Sequence, residues 1–228
     1  MRIVFIADFF ADQVLGGGEL NNEELISNLI SDGHEIIKIN SHDVTRKFIE
    51  TNGQSAFIVA NFINLSLECI SSLYDKKYVI YEHDHKYIPS RNPGMYENFK
   101  APQTDLVNVG FYRKASAVFC QSQFHKDIVG RNLSEVNLIS LGGNLWSEKS
   151  LSFMEEMAQA KKANKYSIMD SPIEHKGTRE AVGYCEYKNY QYDLISSDSY
   201  EEFLSLLGKN KTLVFFPKTP ETLSRIVV

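Results

Sequence analysis

Four consecutive residues, Glu82-His83-Asp84-His85, close the apolar run "YVIYE" and gather two carboxylates and two imidazoles. Imidazoles can exchange protons near neutral pH, so either histidine is a candidate general acid or base. His-x-His with two carboxylates is also a metal-ligand pattern. Neighbouring residues of an extended chain point to opposite faces, however, and no third or fourth ligand stands at a metal-site spacing. A second group, Gly16-Gly17-Gly18-Glu19, stands just ahead of a helical pattern. Bare backbone amides at a helix N-terminus suit a phosphate; taken alone, the same glycines serve a surface bend equally well.

These residues need elements to hold them. Short apolar runs alternate with helix-like segments: "RIVFIA" (2–7), "HEIIKI" (34–39), "AFIVA" (56–60), "YVIYE" (78–82), "AVFC" (117–120) and "NLIS" (137–140). Runs that are continuous rather than alternating fit strands covered on both faces, and the rhythm predicts an α/β fold with doubly wound parallel sheets. The polar helical segment 148–164 interrupts the rhythm, which restarts with "KYSIM", "YDLIS" and "LVFF". The expected organisation is a Rossmann-like domain over 1–147, a linker helix over 148–164 and a partial Rossmann-like domain over 165–228. The final stretch, "PETLSRIVV", reads as the start of an amphipathic helix. Glu82 to His85 then lie beyond the carboxyl end of a strand, where open α/β sheets bind ligands.

Composition narrows the function. With net charge −5 and no basic run, non-specific nucleic-acid binding is not expected. The cysteines, Cys69, Cys120 and Cys185, are odd in number and set in apolar contexts, as reduced thiols of a cytoplasmic protein are. No apolar stretch approaches the ~20 residues of a membrane span, so contact with a membrane is expected to be peripheral, at its inner face. About eight residues separate the first strand from three consecutive glycines, which opposes the G-x-G-x-x-G dinucleotide fingerprint and an oxidoreductase reading.

In this order and spacing the segments resemble the retaining glycosyltransferases of family 4, whose GT-B arrangement sets two Rossmann-like domains face to face. The resemblance rests on "GGGE…LISNLISDGHEI", "YVIYEHD", "ASAVFCQSQFHKDIV", "SIMDSPIEHKGTREAV" and "FFPKTPETLSRIVV". It implies transfer of a sugar from a nucleoside-diphosphate sugar to a glycan or lipid-linked acceptor, as in polysaccharide biosynthesis, with no metal and no cofactor beyond that co-substrate. It places His83 beside the transferred sugar, Lys176 on the donor diphosphate and Glu221 on sugar hydroxyls. Gly16, Gly17, Gly18, Glu19, Asp84 and Ser122 fall on its substrate-binding segments.

Two departures qualify the resemblance. The family has an arginine six residues before the lysine, where this chain has Asp170; His175 and Arg179 are the nearby cations. The family's second glutamate would fall at position 229, so the chain is expected to be cut within its donor motif and weak or inactive as it stands. The alternative is a non-catalytic relative that binds a nucleotide sugar or glycan. An incomplete second lobe is also expected to expose Leu223, Ile226 and Val227 and to favour a homodimer.

Overall fold

A computed structural model describes residues 1–227. In chain order it contains β1 (Arg2–Ala7), α1 (Gly17–Ser31), β2 (Glu35–Asn40), α2 (Arg46–Thr51), β3 (Ala56–Val59), α3 (Leu67–Leu73), β4 (Tyr78–Glu82), α4 (Val109–Lys114), β5 (Val118–Cys120), α5 (Gln123–Asn132) and β6 (Leu138–Ser140). There follow α6 (Glu148–Gln159), β7 (Ala163–Met169), α7 (Thr178–Tyr187), β8 (Tyr192–Ile195), α8 (Tyr200–Gly208) and β9 (Asn210–Val214). The chain is an α/β protein with two parallel sheets, as its alternating runs predict. It divides into two compact units, one of Met1–Leu145 with the segment 221–227, the other of Trp146–Pro220.

In the first unit six strands run parallel in the order β2-β1-β3-β4-β5-β6. Strand β1 shows why its run is continuously apolar. Val4 and Ile6 enter one core with Phe57, Val59, Tyr78, Ile80 and Val118, while Phe5 and Ala7 enter a second core on the opposite face with Phe10, Ile26 and Tyr81. Helix α1 covers the smaller core through Ile26, and α3, α4 and α5 close the larger one through Ile70, Leu73, Phe111, Tyr112, Val129 and Leu133. Each such apolar side chain contributes about 1.5–3 kcal/mol on burial.

Local chemistry sets where the helices begin. Thr45, Ser66, Ser122, Ser147 and Ser199 cap α2, α3, α5, α6 and α8, each hydroxyl accepting from a first-turn amide at 3.0–3.4 Å. Such a cap contributes ~1 kcal/mol. The residue before helix α1, its N-cap Gly16, offers no side chain to the first-turn amides.

The second unit is a three-stranded parallel sheet in the order β8-β7-β9. Its core is small: Ile168, Ala181, Cys185 and Val214, flanked by Tyr166, Val182 and Tyr192. Helix α6 packs on α8 within this unit, and the stretch 163–164, expected in the linker, already belongs to β7. Gly177 turns the chain into α7 with φ +70, and a β-carbon there would overlap the carbonyl of Phe216. Gly177→Ala therefore combines left-handed strain of about 1–2 kcal/mol with a backbone clash that only movement of 215–217 relieves. It is expected to destabilise this unit by at least ~2 kcal/mol in urea unfolding followed by tyrosine fluorescence; an unchanged midpoint would contradict the turn as described.

Two expectations are corrected. Strand β9 ends at Val214, so Phe215 and Phe216 lie beyond it. The stretch 220–227 forms bends and turns, not a helix. Two turns are too short to be stable by propensity alone, and its polar groups bond to the first unit instead. Within it Leu223 and Ile226 are half-buried and Val227 is 63% exposed.

Candidate functional site

In the first sheet the chain leaves β1 toward β2 in one direction and β3 toward β4 in the other. The carboxyl ends of β1 and β3 thus form the topological switch point, where open α/β sheets take ligands. Four of the expected site segments meet along this carboxyl edge: the start of α1, the β4 exit, the β5 exit and the segment that opens at Glu221.

His83 is brought against Gly18: a β-carbon on that glycine would stand 3.6 Å from the ring. The His83 Nε2 is 2.8 Å from the Asn22 amide oxygen, and the ring lies 4.5 Å from that of Tyr81. The Tyr81 hydroxyl in turn accepts from Asn21, whose amide oxygen receives the Leu145 N–H at 2.7 Å. Burial, then the positive charge of Lys86, lowers the His83 pKa to about 4, and Asp84, Glu82 and Gln121 oppose this only in part. His83 is therefore neutral at pH 7. With Nε2–H donating to Asn22, Nδ1 is left as an acceptor; it is buried, makes no aligned hydrogen bond and has Gln121 beside it.

The β4 exit winds around the Glu82 carboxylate. One oxygen accepts from the Asp84 amide at 2.9 Å and from Lys86 Nζ at 3.1 Å, and the other accepts from the Tyr112 hydroxyl. Asp84 lies between two cations, 3.2 Å from Arg91 and 3.8 Å from the buried Lys86 ammonium. His85 turns away from His83, its Nδ1 3.0 Å from the Tyr87 hydroxyl and its ring 4.9 Å from that of His125. The two histidines thus do not converge, and among the described residues no three His, Cys, Asp or Glu side chains are placed to hold a metal ion.

Ser122 has its hydroxyl engaged: besides capping α5 it donates to the Thr222 carbonyl at 2.6 Å. Around it the segment 221–227 is tied to the sheet edge. Thr222 donates to Gln121 at 2.6 Å, Asn144 donates to the Leu223 carbonyl at 3.2 Å, and Arg225 donates to the Leu145 carbonyl at 2.6 Å. The Arg225 stem passes 3.5 Å from where a Gly17 β-carbon would stand. Gly17, Gly18, His83 and Ser122 are in this way gathered with the segment carrying Glu221 in one unit. Glu19 lies in the first turn of α1 and touches Gly16 and Asn61.

Lys176 lies in the other unit, in the turn before α7, with its ammonium 6.0 Å from the Phe215 ring centre. Asp170 follows β7, exposed, its amide donating to the Ile195 carbonyl at 2.8 Å. Lys218 adds a cation near the start of α7 but is bridged to Glu180 at 2.8 Å and Glu174 at 3.2 Å.

Sequence reasoning passed over Asn21, Asn22, Asn61, Lys86, Tyr112 and Gln121. The available signal was polarity where the pattern demands burial: Asn21 and Asn22 on the inward face of an amphipathic helix, and a lysine four residues after a strand-end glutamate. Among the described residues no helix is long and apolar enough to cross a membrane.

No protein-family model matches the sequence. No curated protein matches it either. Among solved structures, the chain is similar to an α-glucosyltransferase in complex with UDP and a 13-mer DNA containing a central A:G mismatch, at TM-score 0.51 and 13% identity, over 88% of this chain and 57% of that one. An α-glucosyltransferase in complex with UDP is matched at TM-score 0.49 and 13% identity, over 86% of this chain and 59% of the other. The chain thus spans less than two thirds of the length of the transferases it matches. At this identity the likeness is one of fold: the protein has an α/β, Rossmann-like fold with parallel sheets.

Proposed function

We propose that the protein acts on nucleotide sugars, transferring a sugar from a nucleoside-diphosphate donor to a hydroxyl of a glycan or lipid-linked acceptor. The observation that carries this reading is the gathering of Gly17, Gly18, a neutral buried His83 and the segment opened by Glu221 on one sheet edge. In the transfer the bond from the anomeric carbon to the diphosphate breaks, its electron pair leaving on the phosphate oxygen, and the acceptor oxygen bonds to that carbon. The acceptor's proton passes to the departing diphosphate or to water. Lys176, beside the start of α7, supplies positive charge for the diphosphate, which matters most as that bond breaks. His83 Nδ1 accepts a hydrogen bond from a sugar hydroxyl, and Glu221 accepts another. UDP, present in the similar transferase structure matched at TM-score 0.51, makes uridine the first donor nucleoside to test.

The test is thermal melting with UDP, GDP, their sugar conjugates and NAD at millimolar concentration. A ligand that binds only the folded state raises the midpoint, by about 2.7 kcal/mol of added stability at a hundredfold excess over Kd. A shift with one nucleoside diphosphate and its sugar, and none with NAD, is expected; a shift with NAD alone would overturn the reading.

A second reading, a binding protein without transfer, is favoured by Asp170, an exposed carboxylate in the unit that carries Lys176. Under it, Asp170→Arg increases affinity for the diphosphate without producing turnover.

A further inference from the structure

The switch point holds a feature outside the roles given to His83, Lys176 and Glu221. Asn61, two residues past β3 and 9% exposed, places its amide nitrogen 3.5 Å from a Glu19 carboxylate oxygen, while its buried Oδ1 has no hydrogen-bond partner. A buried acceptor left unmade costs about 1–3 kcal/mol, so a native fold has reason to satisfy it. Just past the end of β1, the Asp8 carboxylate is fully employed: it accepts from Ile63 N and Asn64 N, each at 3.0 Å, and from the Ser41 hydroxyl. Asp8 therefore pins the loop that carries Asn61 and leaves negative charge beside it.

The chemistry of what fits here follows from these groups. Glu19 is half-buried, and burial, then the charges of Asp84 and Asp8, push its carboxyl above the ordinary range against its own backbone hydrogen bond and Lys86. Glu19, Asp8 and Asp84 place carboxyl groups near Asn61, and the cations that offset them, Lys86 and Arg91, are already paired with Glu82 and Asp84, so this is not where the diphosphate or a nucleic-acid backbone would sit. A neutral molecule with adjacent hydroxyls suits it: one O–H donates to Asn61 Oδ1, and its neighbour exchanges hydrogen bonds with the Glu19 carboxyl.

We infer that Glu19 and Asn61 form a hydroxyl-binding subsite at the β1–β3 switch point, which takes the sugar ring of a neutral saccharide. Assigning that saccharide to the acceptor side rests on the transferase reading above; the subsite itself does not.

The test is side-chain amide NMR of the intact chain titrated with neutral saccharides (methyl glucoside, methyl galactoside, maltose), with and without UDP, and in a parallel arm with a short DNA duplex. The Asn61 amide resonances are expected to shift with at least one saccharide and not with the duplex. Asn61→Ala should weaken that saccharide about five- to tenfold, the equivalent of one hydrogen bond, while Glu19→Gln, which keeps the shape and the donor, should lose less. Circular dichroism establishes that each variant is folded, and the wild-type titration stands if a variant is not. Unmoved Asn61 resonances with every saccharide would overturn the subsite, as would their movement by the duplex alone. Failure of UDP to bind, with saccharide binding at Asn61 intact, would remove the transferase reading and leave the subsite standing.

Discussion

Lys86→Ala is expected to lower the unfolding free energy of the first unit by about 3–5 kcal/mol at pH 7. The Lys86 and Glu82 side chains are both fully buried, their charged atoms 3.1 Å apart, with Asp84 3.8 Å from the same ammonium and the Phe62 ring 5.6 Å away. Burial by itself would raise the Glu82 carboxyl; Lys86, the Tyr112 hydroxyl, His125 and the Asp84 amide outweigh it and hold the group well below the usual carboxylate range. Removing the lysine strands a carboxylate in the core, which must then take up a proton or draw in water. The net worth of the intact pair is a separate quantity, because both partners were desolvated to make it. Glu82→Gln combined with Lys86→Met, which keeps the shape and removes both charges, should accordingly recover most of the loss, to within about 1–2 kcal/mol of the parent. Urea unfolding of the two single variants and the double variant measures this. A Lys86→Ala cost below about 1 kcal/mol would mean that the pair is hydrated in solution.

The same residues show how far the sequence reaches. The continuous apolar runs correctly indicate strands buried on two faces, because a strand such as β1 has no side to leave polar. The glycine cluster and Glu82 to His85 stand at strand exits, and topology alone then places them on the carboxyl edge. Which of His83 and His85 faces α1 was not legible, since it depends on the loop winding around Glu82. That winding takes a tyrosine thirty residues away, and no local pattern announces it. Asn61 was missed for a related reason: an asparagine after a strand is ordinary turn chemistry, and only burial of its oxygen makes it unusual. The stretch 220–227 was misread because its apolar spacing fits a helix, whereas its carbonyls and hydroxyls bond to Gln121, Ser122 and Asn144. Periodicity reports which side chains share a face, not which backbone groups find better partners elsewhere.

Acidification should destabilise the first unit from about pH 6.5 downward, before the ordinary carboxylate range is reached. His83 and His125 are buried and neutral. Burial, then Lys86, lowers His83 to about 4, and burial, then His85, His83 and Lys86 against Glu82, lowers His125 to about 3. In the unfolded chain both titrate near 6.5. As pH falls below about 6.5 the unfolded state binds protons that the folded state refuses, so stability falls with pH at up to about 1.4 kcal/mol per unit for each histidine. The fall ends for each group as pH passes its folded value. Glu82 adds a later loss of the same sign: its folded pKa is depressed, so its contribution is complete above about 4.3 and disappears only as pH drops toward the folded value. From pH 6.5 to 4 the two histidines together cost on the order of 5 kcal/mol, a large part of a typical domain's stability. Urea unfolding at pH 7.0, 5.5 and 4.5 should show this decline, and His125→Gln should remove about half of it, because glutamine retains an acceptor for the Gln121 amide and does not titrate. A variant whose stability falls as steeply as the parent's would place the proton uptake elsewhere, in the exposed carboxylates. Below about pH 4 His83 becomes a cation and its Nδ1 a donor, so saccharide binding that depends on that acceptor should be lost in the same range, even where the fold survives.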